Sequence, residues 1–157
     1  MTTATKPTVR QGKLAIDEAF SRYMDSKVID PLALDVIGYA VANDVQLRDY
    51  LLGYALEAGD ITNALGYVNH LIEQGIQEQN RHAFYTVLCT LHLQNDDRDL
   101  AQLALDEAKA LKANYPLTTL LTRVIGSGWP TPAFRAMTHE LHPKVVQNLI
   151  DDADKVI

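Results

Sequence analysis

Few residues in this chain have the type and spacing for chemistry. The run His139-Glu140-Leu141-His142 holds the only closely spaced pair of histidines. A helix that grips zinc with two imidazoles sets them at i and i+4, on one face, as in His-Glu-x-x-His. Here the step is three residues and Pro143 follows at once, with no cysteine or second carboxylate–histidine motif alongside. The run therefore reads as a polar helix end, and no metal is assigned to it. His70, His82 and His92 are scattered and read as packing or capping groups. Cys89 is the single cysteine and sits on an apolar stripe between Leu88 and Thr90. A reactive thiolate needs an exposed, electropositive setting, so Cys89 is expected to pack. Gly126-Ser127-Gly128 lacks the lysine of a phosphate loop and follows no strand, so it reads as a helix breaker. No nucleophile elbow or dinucleotide fingerprint is present, and no cofactor is expected.

The carboxylates are more numerous. Asp96, Asp97 and Asp99 stand close together, but a calcium loop needs a central glycine and a glutamate at its twelfth position. Helix capping is the expected role there, and a solvated helix end for Asp151, Asp152 and Asp154. One set combines aromatics with acids: Tyr50, Tyr54 and Tyr67 near Asp49, Glu57 and Asp60. Aromatic faces beside carboxylates suit a basic peptide. These six residues, with Trp129 in its Gly/Pro loop, form the candidate partner-binding set. The competing expectation is that tyrosines at helical spacing belong to the core.

Net charge is −6 over 157 residues. Residues 30–80 carry eight acids against Arg48 alone, whereas the N-terminal stretch holds Lys6, Arg10 and Lys13 and no acid. An acidic surface repels phosphate backbones and favours cationic partners, so direct nucleic-acid binding is not expected. A lone cysteine fits a reducing compartment, and MTTATKPTVRQGK has no apolar segment of the secretory kind. With no run approaching the ~20 apolar residues of a membrane span, a cytoplasmic protein is expected.

The elements that must position these residues are helical. Leu and Ala dominate the apolar 47%, which favours helix over strand. Residues 1–9, Thr-rich with Pro7, read as a disordered tail, and 10–157 as a single helical domain of about nine helices. Ile16, Ala19, Phe20, Tyr23 and Met24 share one face of the first helix. Asp30-Pro31 opens the second, Asp44 the third over Val45–Ala58, Asp60 the fourth and Asp97 the sixth, each aspartate placed to accept first-turn N–H groups. Gly59 suits a left-handed helix end. Pro116 opens a helix to Ile125, Thr131-Pro132 a short one to about Leu141, and Pro143 a last one over 143–157.

An internal echo organises the middle. Leu47, Tyr50, Leu51, Tyr54, Asp60, Ala64, Tyr67, Val68 and Leu71 recur 37 residues on as Phe84, Val87, Leu88, Leu91, Asp97, Ala101, Ala104, Leu105 and Ala108. Residues 47–74 and 84–114 thus read as two related helix–turn–helix units, which bury their apolar stripes only by stacking. The second unit resembles a tetratricopeptide repeat: Tyr85, Leu88, Cys89, Ala101, Leu105 and Ala108 fill its aromatic, large and small positions, while His92 and Ala113 depart from its Tyr and Pro. Over Gln11–Met137 the chain resembles the helical C-terminal part of an uncharacterised actinobacterial family, domain of unknown function 4192. The stretches VQLRDYLLGYAL and RDLAQLALDEAKALKANYPLTTLLTRVIGSGWPTPAF carry that likeness, which implies an all-α fold and a bacterial or phage source.

The fold class expected is all-α, an antiparallel helix-pair array, as a right-handed solenoid or a bundle. The function expected is a non-enzymatic protein–protein interaction module with an acidic surface and a basic partner. The alternative is an acidic mimic of nucleic acid that occupies a partner's basic site. A metal-dependent enzyme stands third. Val145, Val146, Leu149 and Ile150 leave a homodimer open.

Overall fold

Aspartates start four of the helices. In this computed structural model, which describes residues 6–157, Asp30 accepts from the Leu32 N–H at 2.9 Å, Asp44 from Leu47 at 3.0 Å, Asp60 from Asn63 at 2.7 Å and Asp97 from Leu100 at 3.1 Å. Each satisfies a donor that the helix itself leaves unpaired. The described residues form nine helices: α1 (Val9–Met24), α2 (Pro31–Asn43), α3 (Val45–Leu52), α4 (Tyr54–Ala58), α5 (Ile61–Gln74), α6 (Glu78–Gln94), α7 (Arg98–Leu111), α8 (Pro116–Gly126) and α9 (Thr131–Asp151). No strand occurs among them beyond one isolated bridge between Thr8 and Val156. Gly59 ends α4 at φ +88° and Gly75 follows α5 at φ +125°.

The protein is all-α, and helix α6 is its axis. Nearly every residue from His82 to Gln94 is buried, as expected of a helix surrounded on all sides. It packs against α2, α3, α5, α7, α8 and α9. A solenoid repeat touches only its sequence neighbours, so this array is a bundle around one central helix. Two threonines inside α6 return their hydroxyls to its own backbone, Thr86 to the Ala83 carbonyl at 2.6 Å and Thr90 to Thr86 at 3.0 Å.

Three elements differ from the sequence expectation. The tail expected over 1–9 lies outside the described residues for 1–5, while Thr8 caps α1 in a capping box and Val9 is buried. Orphan N–H groups of α1 are taken up by the other end of the chain: Val9 donates to the Lys155 carbonyl and Arg10 to that of Ala153, each at 2.9 Å. The C-terminal helix expected over 143–157 is instead the second half of α9, which runs from Thr131 through Pro143 and ends at Asp151. A proline inside a helix costs roughly 3 kcal/mol. Burying Val145 and Leu149, at about 1.5–3 kcal/mol each, offsets it.

The third helix, expected unbroken to Ala58, breaks at Gly53. Tyr50, Leu51 and Tyr54 keep a helical period across the break, so periodicity does not reveal it. The residue at the break must be glycine because of His142 on α9. A Cβ on residue 53 would overlap its Nδ1 and lie 2.9 Å from its Cγ. Alanine is about 1 kcal/mol better than glycine inside a helix, but overpacking costs about 1–3 kcal/mol. Gly53→Ala is therefore expected to lower the urea midpoint of unfolding, and Gly53→Ala combined with His142→Ala to cost less than the two single changes added. Additive losses would show that the two positions do not share this space.

Candidate binding groove

The aromatic–acidic set proposed from sequence comes together, but as core. Tyr50, Tyr54 and Tyr67 are all buried to within 2% of full enclosure. Their hydroxyls turn inward to α1. Tyr50 donates to Asp17 Oδ1 at 2.7 Å and Tyr54 to the same oxygen at 3.1 Å, while Lys13 Nζ holds Oδ2 at 2.9 Å. Tyr67 donates to the Ile16 carbonyl at 2.6 Å. Phe20 packs edge-on against Tyr54 and Tyr67, both at 5.2 Å. Burial first, and the Asp17 carboxylate second, push all three phenols well above their ordinary pKa. These tyrosines are thus corrected as partner contacts: a surface ligand does not reach them. Asp17, which sequence reasoning missed, joins them. Its signal was present, because it follows Lys13 by one turn and flanks Ile16 on the buried face of α1.

The acids of the set are also engaged. Asp49 pairs with Arg48 at 3.0 Å. Burial still raises its pKa, against the opposing pull of Arg48. Glu57 Oε1 lies within hydrogen-bond distance of His142 Nε2, at 2.9 Å, and Asp60 caps α5. Asp97 likewise caps α7, and Asp96 accepts from Thr131 Oγ1 at 2.6 Å. Among the described residues, no cluster of three or more His, Cys, Asp or Glu is placed to hold a metal ion. His139 and His142 diverge, the first exposed and the second buried in a stack on Tyr50 at 5.6 Å. Cys89 is enclosed within α6, and burial raises its thiol to about 12, so it stays protonated at neutral pH.

The site that geometry does build lies on the other side of His142. Helix α8 rests on α6 and α7, α9 rests on α3 and α6, and the two scarcely touch each other. Between them runs a trough of about 510 Å³, floored by α3 and α6. Leu117, Leu121 and Val124 form one wall, at steps of four and three residues. Phe134, Met137, Leu141 and Val145 form the other. Both are single helical stripes. The rim is apolar as well: Leu120 is 54% exposed, Leu141 46% and Trp129 41%. Trp129 stands edge-on to Phe134 at 5.4 Å, and its carbonyl accepts from Arg98. Of the residues proposed from sequence, Trp129 and Asp49 line this trough.

Polar groups sit at one end. Arg48 is held by Asp49 and by the Tyr115 hydroxyl at 3.3 Å, and it divides the trough from a second hollow of about 390 Å³ lined by Val45, Tyr115 and Leu120. Asn148 reaches Gln46 at 3.4 Å. Lys144 is exposed on the α9 wall without an acidic partner among the described residues. No described helix is long and apolar enough to cross a membrane. Comparison with protein-family models, with curated proteins and with solved structures returns no match for this chain.

Two predictions follow from the buried polar groups. Asp17→Ala would strand two tyrosine hydroxyls in the core, at about 1–3 kcal/mol for each unpaired group. Its loss on denaturation is expected to exceed that of Tyr50→Phe, which removes donor and bond together. The second concerns pH. Burial lowers the pKa of His82, whose Nε2 has no partner, with Lys112 adding to the effect. Burial also lowers His92, against the opposing charge of Asp97. Their neutral forms fit the folded state, so their contribution is complete above the ordinary value of 6.5 and is lost as pH falls through the lowered native values. Urea midpoints are expected to fall between pH 7.5 and 5, less steeply in His82→Phe. An identical slope in that variant would remove His82 as a source.

Proposed function

We propose that this protein is a non-enzymatic protein–protein interaction module, and that its docking surface is the trough between α8 and α9. The supporting observation is a concave apolar trough of about 510 Å³ between two helix stripes, with Leu120, Leu141 and Trp129 exposed at its mouth. Scattered apolar side chains are normal on a soluble protein, whereas a contiguous concave set marks a binding surface. The acidic set read from sequence supports this surface less well. Its tyrosines are enclosed, Asp49 and Glu57 are paired and Asp60 is a cap.

A photo-crosslinking residue placed at Leu120 or Leu141 tests the reading in cells. Leu103, 60% exposed on α7 and outside the trough, serves as the control position. The expected result is a discrete protein adduct from both trough positions and none from Leu103. It should vanish when Leu120→Glu, a change at an exposed rim position, is added to the Leu141 variant. Adducts of equal yield from Leu103, or no protein adduct from the trough, would count against a docking surface there.

A further inference from the structure

Resting on that reading, we infer that the trough takes an amphipathic α-helix whose apolar stripe is flanked by acidic residues. Three observations select this occupant.

The first is length and shape. On α9 the stripe from Phe134 to Val145 covers about 16 Å at 1.5 Å per residue, or three turns, and on α8 Leu117 to Val124 covers about 10 Å. Leu117, Leu121, Val124, Phe134 and Val145 are seated on α3, α6 and α7, and Leu120, Leu141 and Trp129 stay exposed at the mouth, because α8 and α9 scarcely meet. A third helix laid along the mouth would cover these exposed apolar side chains.

The second is backbone hydrogen bonding. Both walls and the floor are helical, and among the described residues no sheet edge is available to an extended peptide. A strand buried in this trough would leave its own backbone donors and acceptors unpaired against apolar side chains, which natural structures avoid. A helix arrives with those groups already satisfied.

The third is charge. Arg48 and Asp49 cancel each other at 3.0 Å, so the net charge on the trough wall is that of Lys144. Lys144 lies one residue from Val145 and three from Leu141, at the rim of the apolar stripe. An acidic residue flanking the partner's stripe would face it. A lysine there would meet Lys144 instead.

Trp129 is the only tryptophan and lines the trough, so its emission reports occupancy. The probes are two tryptophan-free, helix-capped 16-residue peptides with the same leucine stripe at i, i+3, i+4, i+7 and i+11, one with glutamate flanks and one with lysine flanks. Decanoate is the small-amphiphile control. All are titrated into the full chain at low salt. The glutamate-flanked peptide is expected to shift Trp129 emission to the blue and to bind about threefold or more tighter than the lysine-flanked one, as one exposed ion pair allows. Lys144→Glu should reverse that order. Leu141→Glu should abolish binding while leaving the thermal unfolding curve in place, since Leu141 is already half exposed.

Equal affinity for the two flank patterns, or an order unchanged by Lys144→Glu, overturns the inference. So does saturable decanoate binding with no peptide binding, which marks a small-amphiphile site. A Leu141-dependent dimer of the free chain in sedimentation also overturns it, by naming a second copy as the occupant. If trough cross-links to protein form while the flank preference is absent, this inference falls and the interaction module stands. If the cross-links fail too, both fall.

Discussion

Tyr50 is the side chain on which the arrangement depends. Its hydroxyl binds Asp17 on α1, its ring edge meets Tyr54 on α4 at 5.5 Å, and its face carries His142 of α9. One residue of α3 therefore ties three other helices. The tie is costly to break because the Tyr50 phenol and the His142 ring are buried, and the phenol O–H has Asp17 as its partner. Lys13 neutralises the Asp17 carboxylate from the solvent side. A charge brought this close to the core is tolerated when it is paired and fully hydrogen-bonded.

His142 carries that constraint outward. Its ring fills the space that a side chain at residue 53 would need, so the junction between α3 and α4 is a glycine. The same ring fixes the middle of α9 one residue before Pro143. A helix weakened by proline would be free to bend at that place. Here the residue before the proline is clamped by Gly53, Tyr50 and Glu57, and Val145 and Leu149 bury the next two turns. The unbroken α9 is thus a product of tertiary packing overriding a local preference.

What the sequence made legible was local. Asp30, Asp44, Asp60 and Asp97 sit where a side-chain oxygen meets first-turn donors, a rule that needs only three or four neighbouring residues. Gly59 and Pro116 follow from equally local sterics. What stayed hidden involves residues far apart in the chain. Gly53 reads as an ordinary helical position until His142, 89 positions later, is placed beside it. Pro143 reads as a helix start because its compensation lies in α3. Tyr50, Tyr54 and Tyr67 have the same spacing whether they face a partner or Asp17, and only the position of α1 decides between these. The trough was invisible for the same reason. Leu117, Leu121 and Val124 look like any buried stripe, and that α9 stands off from them is a property of the anchors at either end.

Those anchors explain why the trough stays open. Two apolar walls facing each other across water would gain roughly 25 cal/mol for each Å² they bury by closing, so something must hold them apart. At one end, the loop between α8 and α9 is pinned to the start of α7. Arg98 binds the Trp129 carbonyl, Thr131 binds Asp96, and Arg135 donates to the Gln94 carbonyl at 2.7 Å. At the other end, His142 holds α9 down on α3 while Tyr115, fixed by Arg48 and packed edge-on against His82 at 4.5 Å, holds the start of α8 on α6. Closing the walls would break these exposed and part-buried polar contacts at both ends, each worth about 0.5–1.5 kcal/mol. The cleft is therefore built in advance of any ligand, and a binder need not supply the energy of opening it. The buried polar network around Tyr50 and the apolar trough beside it are in this sense one device: the first sets the position of α9, and that position leaves the second unfilled.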